Sequence, residues 1–315
     1  MSIKKTSIYH FLTNKYKEYS VKINPQIEIN RCYKKVFGEL PNLNEPQNLI
    51  EKIYWLELNT DTSLWTLCAD KYRIREYVEQ CGLSEYIPGN YGYWENPNDI
   101  DLDKLPNSFV LKANNGCGTV KVIHKKEAIN VKKIKKELKQ WLSNPFGYMN
   151  AQLHYLPIKP CIIAEELLPN IGSQKEFSPN SLVDYKVWCF KGKPESILVV
   201  YDRTSKQYCL DLYDTNWERM PEKLNLNGHF EFRKDVIIPK PECLDEMLKI
   251  ASKLSEPFPE VRVDFYVVDN KPVIGELTFS TGYGYFTKEY YKYLGDKCDI
   301  SDLKVIKKKT QRCKS

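Results

Sequence analysis

The sequence predicts an α+β fold. Three observations carry this: a first third whose apolar spacing is helical, three strand–turn–strand hairpins between residues 108 and 279, and two amphipathic helices set apart from those hairpins. Hairpins imply antiparallel pairing, and helices kept apart from antiparallel strands define the α+β class.

Taken in order, residues 1–104 form a mixed, tyrosine-rich N-terminal region. Asn48–Leu58 reads as a helix with Leu49, Ile53, Trp55 and Leu56 inward. Asp70 is an N-cap for a second helix, Lys71–Gln80, that stops near Gly82. A Gly/Pro/Tyr/Asn loop follows over 88–97. Residues 105–160 read as a separate small unit. Strand Ser108–Lys112 enters the turn Asn114-Asn115-Gly116-Cys117-Gly118-Thr119 and returns as Val120–His124. Helix 128–142 puts Val131, Ile134, Leu138, Trp141 and Leu142 on one face and a row of lysines on the other.

Residues 161–300 form the third unit. Cys161–Leu168 is an apolar strand holding two acids, and 169–181 is a loop. Tyr185–Phe190 and Ser196–Tyr201 are joined by Lys191-Gly192-Lys193-Pro194. Helix 242–254 precedes a last hairpin, Val261–Val268 with Pro272–Phe279. A basic tail closes the chain over 301–315.

Composition excludes several classes. The chain has 315 residues, 42% apolar and 28% charged, which suits two or three folded units. A net charge of +6 is mild and requires no nucleic acid. The first residues lack the apolar core of a secretory signal, and no stretch approaches a membrane span. The lysine face leaves peripheral membrane contact open. Ten cysteines without a CxxC pair, and four histidines, point to reduced thiols in a cytoplasm rather than to zinc or disulfides.

Two motifs carry chemistry. The first is the glycine turn. Gly116 and Gly118 free backbone donors for phosphate oxygens, but the turn leads into a strand, so it is no Walker loop. It is a hairpin that could fold over phosphates, free to move without nucleotide, with Lys112 at its strand end. The second motif is the last hairpin. With a three-residue turn centred on Asn270, residues whose numbers sum to 540 face each other. Asp264 then faces Glu276, and Arg262 faces Thr278. Opposed carboxylates repel and call for something positive between them. Mg²⁺, which takes hard oxygen ligands, answers that need, and Arg262 could stabilise a transferring phosphoryl group. A two-residue turn would put Glu276 on the other face.

In this order the pieces resemble the ATP-grasp fold, two α+β subdomains clamping ATP, and within it the TupA-like ATP-grasp family of polysaccharide biosynthesis. The matching words are Glu51–Leu56, Ala69–Val78, Leu105–Lys112, Asp184-Tyr185-Lys186, Arg262-Val263-Asp264 and Gly275–Phe279. The resemblance implies that Lys71 and Lys112 touch nucleotide phosphates or the adenine edge. It makes Glu165, through Glu166 to Leu168, the adenine hinge. Asp184 falls near the ribose, Lys186 near phosphate or substrate, Arg203 and Arg262 on the transferred phosphoryl group, and Asp264 and Glu276 on Mg²⁺. Where most such enzymes carry Glu-x-Asn, this chain has Glu276-x-Thr278, a weaker ligand, which leaves one or two Mg²⁺ open.

The implied activity is an ADP-forming carboxylate–amine ligase working through an acylphosphate. Its substrates would be ATP, an anionic sugar of a cell-surface glycan and a small amine. A carbohydrate kinase keeps the same ATP site. A glycosyltransferase would use an Asp-x-Asp site, whose letters occur in Asp99-Ile100-Asp101-Leu102-Asp103.

Overall fold

The computed structural model describes residues 3–143, 146–227 and 230–306, with side chains from residue 12 onward. The basic residues from Lys307 to Lys314 lie outside these. Two antiparallel sheets organise the chain, each over its own apolar core.

The N-terminal region is helical: α1 (Ile3–Ile23), α2 (Pro25–Phe37), α3 (Leu49–Asn59), α4 (Ser63–Ala69) and α5 (Ile74–Gln80). Asn48 and Glu51 cap α3 reciprocally, each side chain accepting from the other's backbone N–H. Leu49, Ile53 and Leu56 are buried as expected. Tyr54 is also buried, while Trp55 is only half-buried. The helix predicted from Lys71 is α5, which begins at Ile74, three residues later. The Asp70 carboxylate accepts from the N–H groups of Tyr72 and Arg73, and the Lys71 N–H donates to the Asn114 carbonyl. Residues 71–73 are therefore a turn tied to the neighbouring sheet.

The smaller sheet comprises β1 (Asn90–Trp94), β2 (Phe109–Ala113), β3 (Val120–Ile123) and β4 (Ile162–Glu165) in the order β1-β4-β2-β3. It thus draws β1 and β4 from either side of 105–160. The segment expected to be a loop supplies β1: a glycine and an asparagine interrupt the strand pattern, but pairing with β4 restores it. Phe109, Leu111 and Ala113 face a core shared with α6 (Val131–Leu142), while Val110 and Lys112 take the other face. Asn130 caps α6. Ile134 and Leu138 are buried and Trp141 and Leu142 pack against the same core, but Val131, in the first turn, is exposed. A short helix, α7 (Phe146–Met149), follows.

The larger sheet comprises β5 (Asp184–Phe190), β6 (Lys193–Tyr201), β7 (Cys209–Asp214), β8 (Val261–Val268) and β9 (Lys271–Thr278), in the order β7-β6-β5-β8-β9. Strands β4 and β5 flank a loop that contains the single-turn α8 (Gln174–Phe177). β4 ends at Glu165, so residues 166–168 lie outside the strand predicted for 161–168. The β5–β6 turn is the two residues Lys191-Gly192, both at positive φ, tighter than the four expected. Sequence reading missed β7 because its buried Asp211 reads as a surface residue; Arg219 and Tyr213 donate to its carboxylate. α9 (Leu244–Ser255) lies across the sheet, and α10 (Lys288–Lys297), also unforeseen, packs on α3. Lys52 donates to the Gly295 and Cys298 carbonyls at the C-terminal end of α10.

No helix among the described residues is long and apolar enough to cross a membrane. The nine described cysteines are free thiols, all buried except Cys81 and Cys117.

Candidate active site

The last hairpin builds the floor. Asp264 faces Glu276 and Arg262 faces Thr278, as the sum of 540 requires. The turn, however, is the two-residue Asp269-Asn270, with both residues at positive φ and Val268 opposite Lys271. A three-residue turn is not what sets the register. The extra residue is Gly275, absorbed as a β-bulge between the Asp264 and Phe265 pairings. A Cβ at Gly275 would lie 3.2 Å from the Tyr266 ring and 3.3 Å from the Asp264 carbonyl, so glycine suits the bulge.

The positive charge between the carboxylates comes from the chain itself. Asp264 is 2% exposed. Its Oδ1 accepts from Arg262 Nε at 2.6 Å; its Oδ2 accepts from Arg262 Nη2 at 2.7 Å and Lys186 Nζ at 2.5 Å. Burial pushes Asp264 up, and Arg262 and Lys186 pull it back. Burial would lower Lys186, but Asp184 and Asp264 outweigh it and hold the amine charged. Lys186 is 2.6 Å from Asp184, and the exposed Arg203 reaches Asp184 at 4.0 Å. Arg262 also donates to the hydroxyls of Thr278 and Thr281. Thr281 was not foreseen; no spacing rule links it to the hairpin.

Glu276 differs. Its side chain is one-third exposed, with Lys71 at 3.7 Å and Arg262 at 3.6 Å. Burial would raise its pKa, but Lys71, Lys186 and Arg262 together bring it down to about 2. It is therefore ionised at neutral pH, and the Thr278 hydroxyl donates to it at 3.1 Å. Among the described residues, no three or more His, Cys, Asp or Glu side chains are placed to hold a metal ion together. Glu276 and the Thr278 oxygen still fit one hard divalent cation. Asp264 could join only if Lys186 released Oδ2.

The glycine turn comes down on this floor. Lys71 Nζ donates to the Gly116 carbonyl at 2.5 Å, linking the turn to Glu276. Asn114 to Gly116 are buried, while Cys117 and Gly118 are exposed. The first half of the turn is tied to its neighbours. Asn114 accepts from Cys161 N–H and donates to the Lys159 carbonyl, and Gly116 sits so close to Phe146 that a Cβ would lie 2.8 Å from its ring. Asn114 is a second residue that sequence reasoning missed, because its partners come from distant segments.

Lys112 and Glu165 form a separate pair at 2.6 Å, on the face of β2 and β4 away from the small core. Arg75 adds to it, 3.2 Å from Glu165, and donates to the Pro88 carbonyl. Its position four residues after Lys71 in the matched word was the available signal. Glu166 is exposed and accepts from Gly89 N–H, while Leu168 is half-buried in the loop after β4. One group thus holds Lys71, the Gly116 carbonyl, Asp184, Lys186, Arg262, Asp264, Glu276 and Thr278, with Arg203 at its rim. Lys112 and Glu165 hold each other at a second place in the small sheet.

The glycine turn lies over a charged antiparallel sheet, and the match to a family model makes this chain an ATP-grasp protein. A family model described as TupA-like ATPgrasp matches residues 51–299, and the chain belongs to that family. Among solved structures, the D-alanine–D-alanine ligase from Bacillus anthracis with ATP is 14% identical, covering 80% of this chain and 70% of its own, at a TM-score of 0.44. The ADP complex of PurK, an N5-carboxyaminoimidazole ribonucleotide synthetase, is 14% identical over 74% of this chain and 51% of its own, at 0.44. The L-amino acid ligase from Bacillus licheniformis is 14% identical over 70% and 45%, at 0.40. This chain spans about half the length of the last two. A search of curated proteins finds no match.

Proposed function

We propose that the chain joins the carboxylate of an anionic sugar to a small amine, at the cost of ATP. The observation that carries this is the set of the buried Arg262 and the half-buried Lys186 and Lys71, held against Asp264 and Glu276 beneath the glycine turn. Fixed cations in a water-poor site stabilise charge that develops on a transferring phosphoryl group.

In this reading the substrate carboxylate oxygen attacks the γ-phosphorus, and the bond to the β–γ bridging oxygen breaks. The products are ADP and an acylphosphate. The amine nitrogen then attacks the acyl carbon, the carbon–oxygen bond to phosphate breaks, and the nitrogen loses a proton. Arg262, held in the plane of the Asp264 carboxylate, is aimed at the transferring group, with Arg203 at the rim. Lys71 bears on the phosphates and steadies the turn through Gly116, with Gly118 exposed beside it. Lys186 serves phosphate or substrate, and Asp184 the ribose. Lys112 serves the phosphates or adenine edge, with Glu165, Glu166 and Leu168 as the hinge. Glu276 and Thr278, with Asp264 behind them, would hold Mg²⁺, which neutralises phosphate charge when bound. A cytoplasmic setting and a glycan precursor as acceptor belong to the same proposal.

The test is product analysis with ATP, Mg²⁺, and panels of uronic acids and amino acids. ADP, free phosphate and an amide are expected together. ADP with a sugar phosphate and no free phosphate would mean a kinase. UDP-sugar consumption without ATP would mean glycosyl transfer. Glu276→Gln should lose about 10²-fold in ADP release with its thermal melt retained, the scale of one lost electrostatic contact in the transition state. Parental turnover in that folded variant would make the carboxylates structural.

A further inference from the structure

The positive charge of this chain is gathered at one place. Residues 120–142 hold eight lysines against Glu127 and Glu137, a net of +6. That equals the net charge of the whole chain, so all other residues together balance to zero. The stretch comprises β3, at the edge of the smaller sheet, and α6. We propose that this face docks the protein on an anionic lipid bilayer, its lysines meeting the headgroups and an apolar groove among them meeting the acyl chains.

Three of the eight lysines are used within the fold. Lys121 pairs with Glu137 at 2.6 Å, Lys126 donates to the Leu105 carbonyl at 2.8 Å, and Lys135 donates to the Asn98 carbonyl at 2.9 Å. The other five, Lys125, Lys132, Lys133, Lys136 and Lys139, are exposed, and among the described residues none of them pairs with an acid. Burial of Ile134 and Leu138 against the sheet turns the lysines of α6 outward. Between β3 and α6 lies a groove of about 510 Å³, lined by Ile123, Ala128, Ile129 and Ile134 together with Lys125 and Lys133. Its one acid is Glu137, already held by Lys121. Val131, next to Asn130 of that lining, adds an exposed apolar side chain.

The mixture of charge and apolar surface selects the partner. A soluble polyanion needs cations alone. Apolar groups set among those cations gain only where they leave water, and an anionic bilayer offers both a phosphate layer and acyl chains beneath it. Lysine suits that boundary, since its stem lies along apolar surface while its ammonium group stays with the headgroups. The face also lies clear of the proposed nucleotide site. Lys121 stands opposite Leu111, on the side of the sheet that packs on α6, whereas Lys112 and Glu165 take the other side. A chain docked through α6 therefore keeps its cleft open to solution.

Sedimentation of the full chain with vesicles tests this, comparing pure phosphatidylcholine with an equal mixture of phosphatidylcholine and phosphatidylglycerol. The mixed vesicles should bind at least tenfold more tightly, and their binding should weaken as salt is raised. Lys133→Glu combined with Lys136→Glu should lose tenfold or more of that binding, while ADP binding and the thermal melt stay as in the parent. Val131→Ser should weaken binding to the mixed vesicles yet leave binding to dextran sulfate, a soluble polyanion, unchanged. Equal binding to the two kinds of vesicle would overturn the proposal, as would parental vesicle binding in the double variant or in Val131→Ser. An equal loss for dextran sulfate and vesicles in Val131→Ser would make the partner a soluble polyanion instead. None of these outcomes depends on which reaction the chain performs.

Discussion

Glu260 shows how the same residue type behaves in opposite ways within one fold. Its side chain is fully buried and neither carboxylate oxygen has a hydrogen-bond partner. Burial pushes its pKa well above the carboxylate range, with only Arg262 opposing. Glu276, ringed by three cations, goes the other way. The consequence for Glu260 has a definite sign. Its folded pKa is raised, so the folded chain keeps a proton that the unfolded chain loses near pH 4.5. Stability therefore falls as pH rises from there toward the folded pKa, by up to about 1.4 kcal/mol per pH unit. Glu260→Gln removes this titration. Urea unfolding should find the variant more stable than the parent at pH 8, with the gap closing near pH 4. A gap independent of pH would mean that Glu260 is ionised in the fold.

At the level of elements, the register of the β8–β9 hairpin depends on two irregularities that cancel. A two-residue turn alone would send Glu276 to the far face, and the bulge at Gly275 brings it back opposite Asp264. A side chain at Gly275 presses on the Tyr266 ring and the Asp264 carbonyl. Gly275→Val should therefore expel the bulge, return the plain register and lose about 10²-fold in ADP release, as for any loss of the Glu276 carboxylate. Deleting Gly275 removes the surplus residue instead and leaves Glu276 opposite Asp264. That deletion should retain far more turnover than the valine variant. Equal loss in both, measured as ADP release from folded protein, would show that the bulge aims the side chains rather than setting the register.

Across the whole molecule, the two sheets have separate apolar cores, and the proposed nucleotide site uses side chains from both. A ligand gripping both should resist unfolding. Mass action predicts about 2.7 kcal/mol of added stability at a hundredfold excess over Kd. Saturating ADP with Mg²⁺ should raise the parental Tm, and Glu276→Gln should lose the part of the rise that depends on Mg²⁺. A Tm shift that is the same with and without Mg²⁺ in the parent would remove Glu276 from the metal.

Local rules were enough for much of this. Strand alternation put Lys112 opposite Phe109 and Leu111, and apolar spacing placed α3; the pairing of Asp264 with Glu276 came out as expected, but through the Gly275 bulge rather than the three-residue turn the expectation rested on. These depend on neighbours close in sequence, so the order of residues determines them. Tertiary contact decided the rest. β1 becomes a strand only because β4 pairs with it, and β7 tolerates Asp211 only because Arg219 meets it inside. Lys112 turns to Glu165, while Lys71 reaches Glu276 through a turn pinned by Asn114. Which cation meets which carboxylate is set by distances between segments far apart in the chain, and a charge pattern read along one strand carries no such distances.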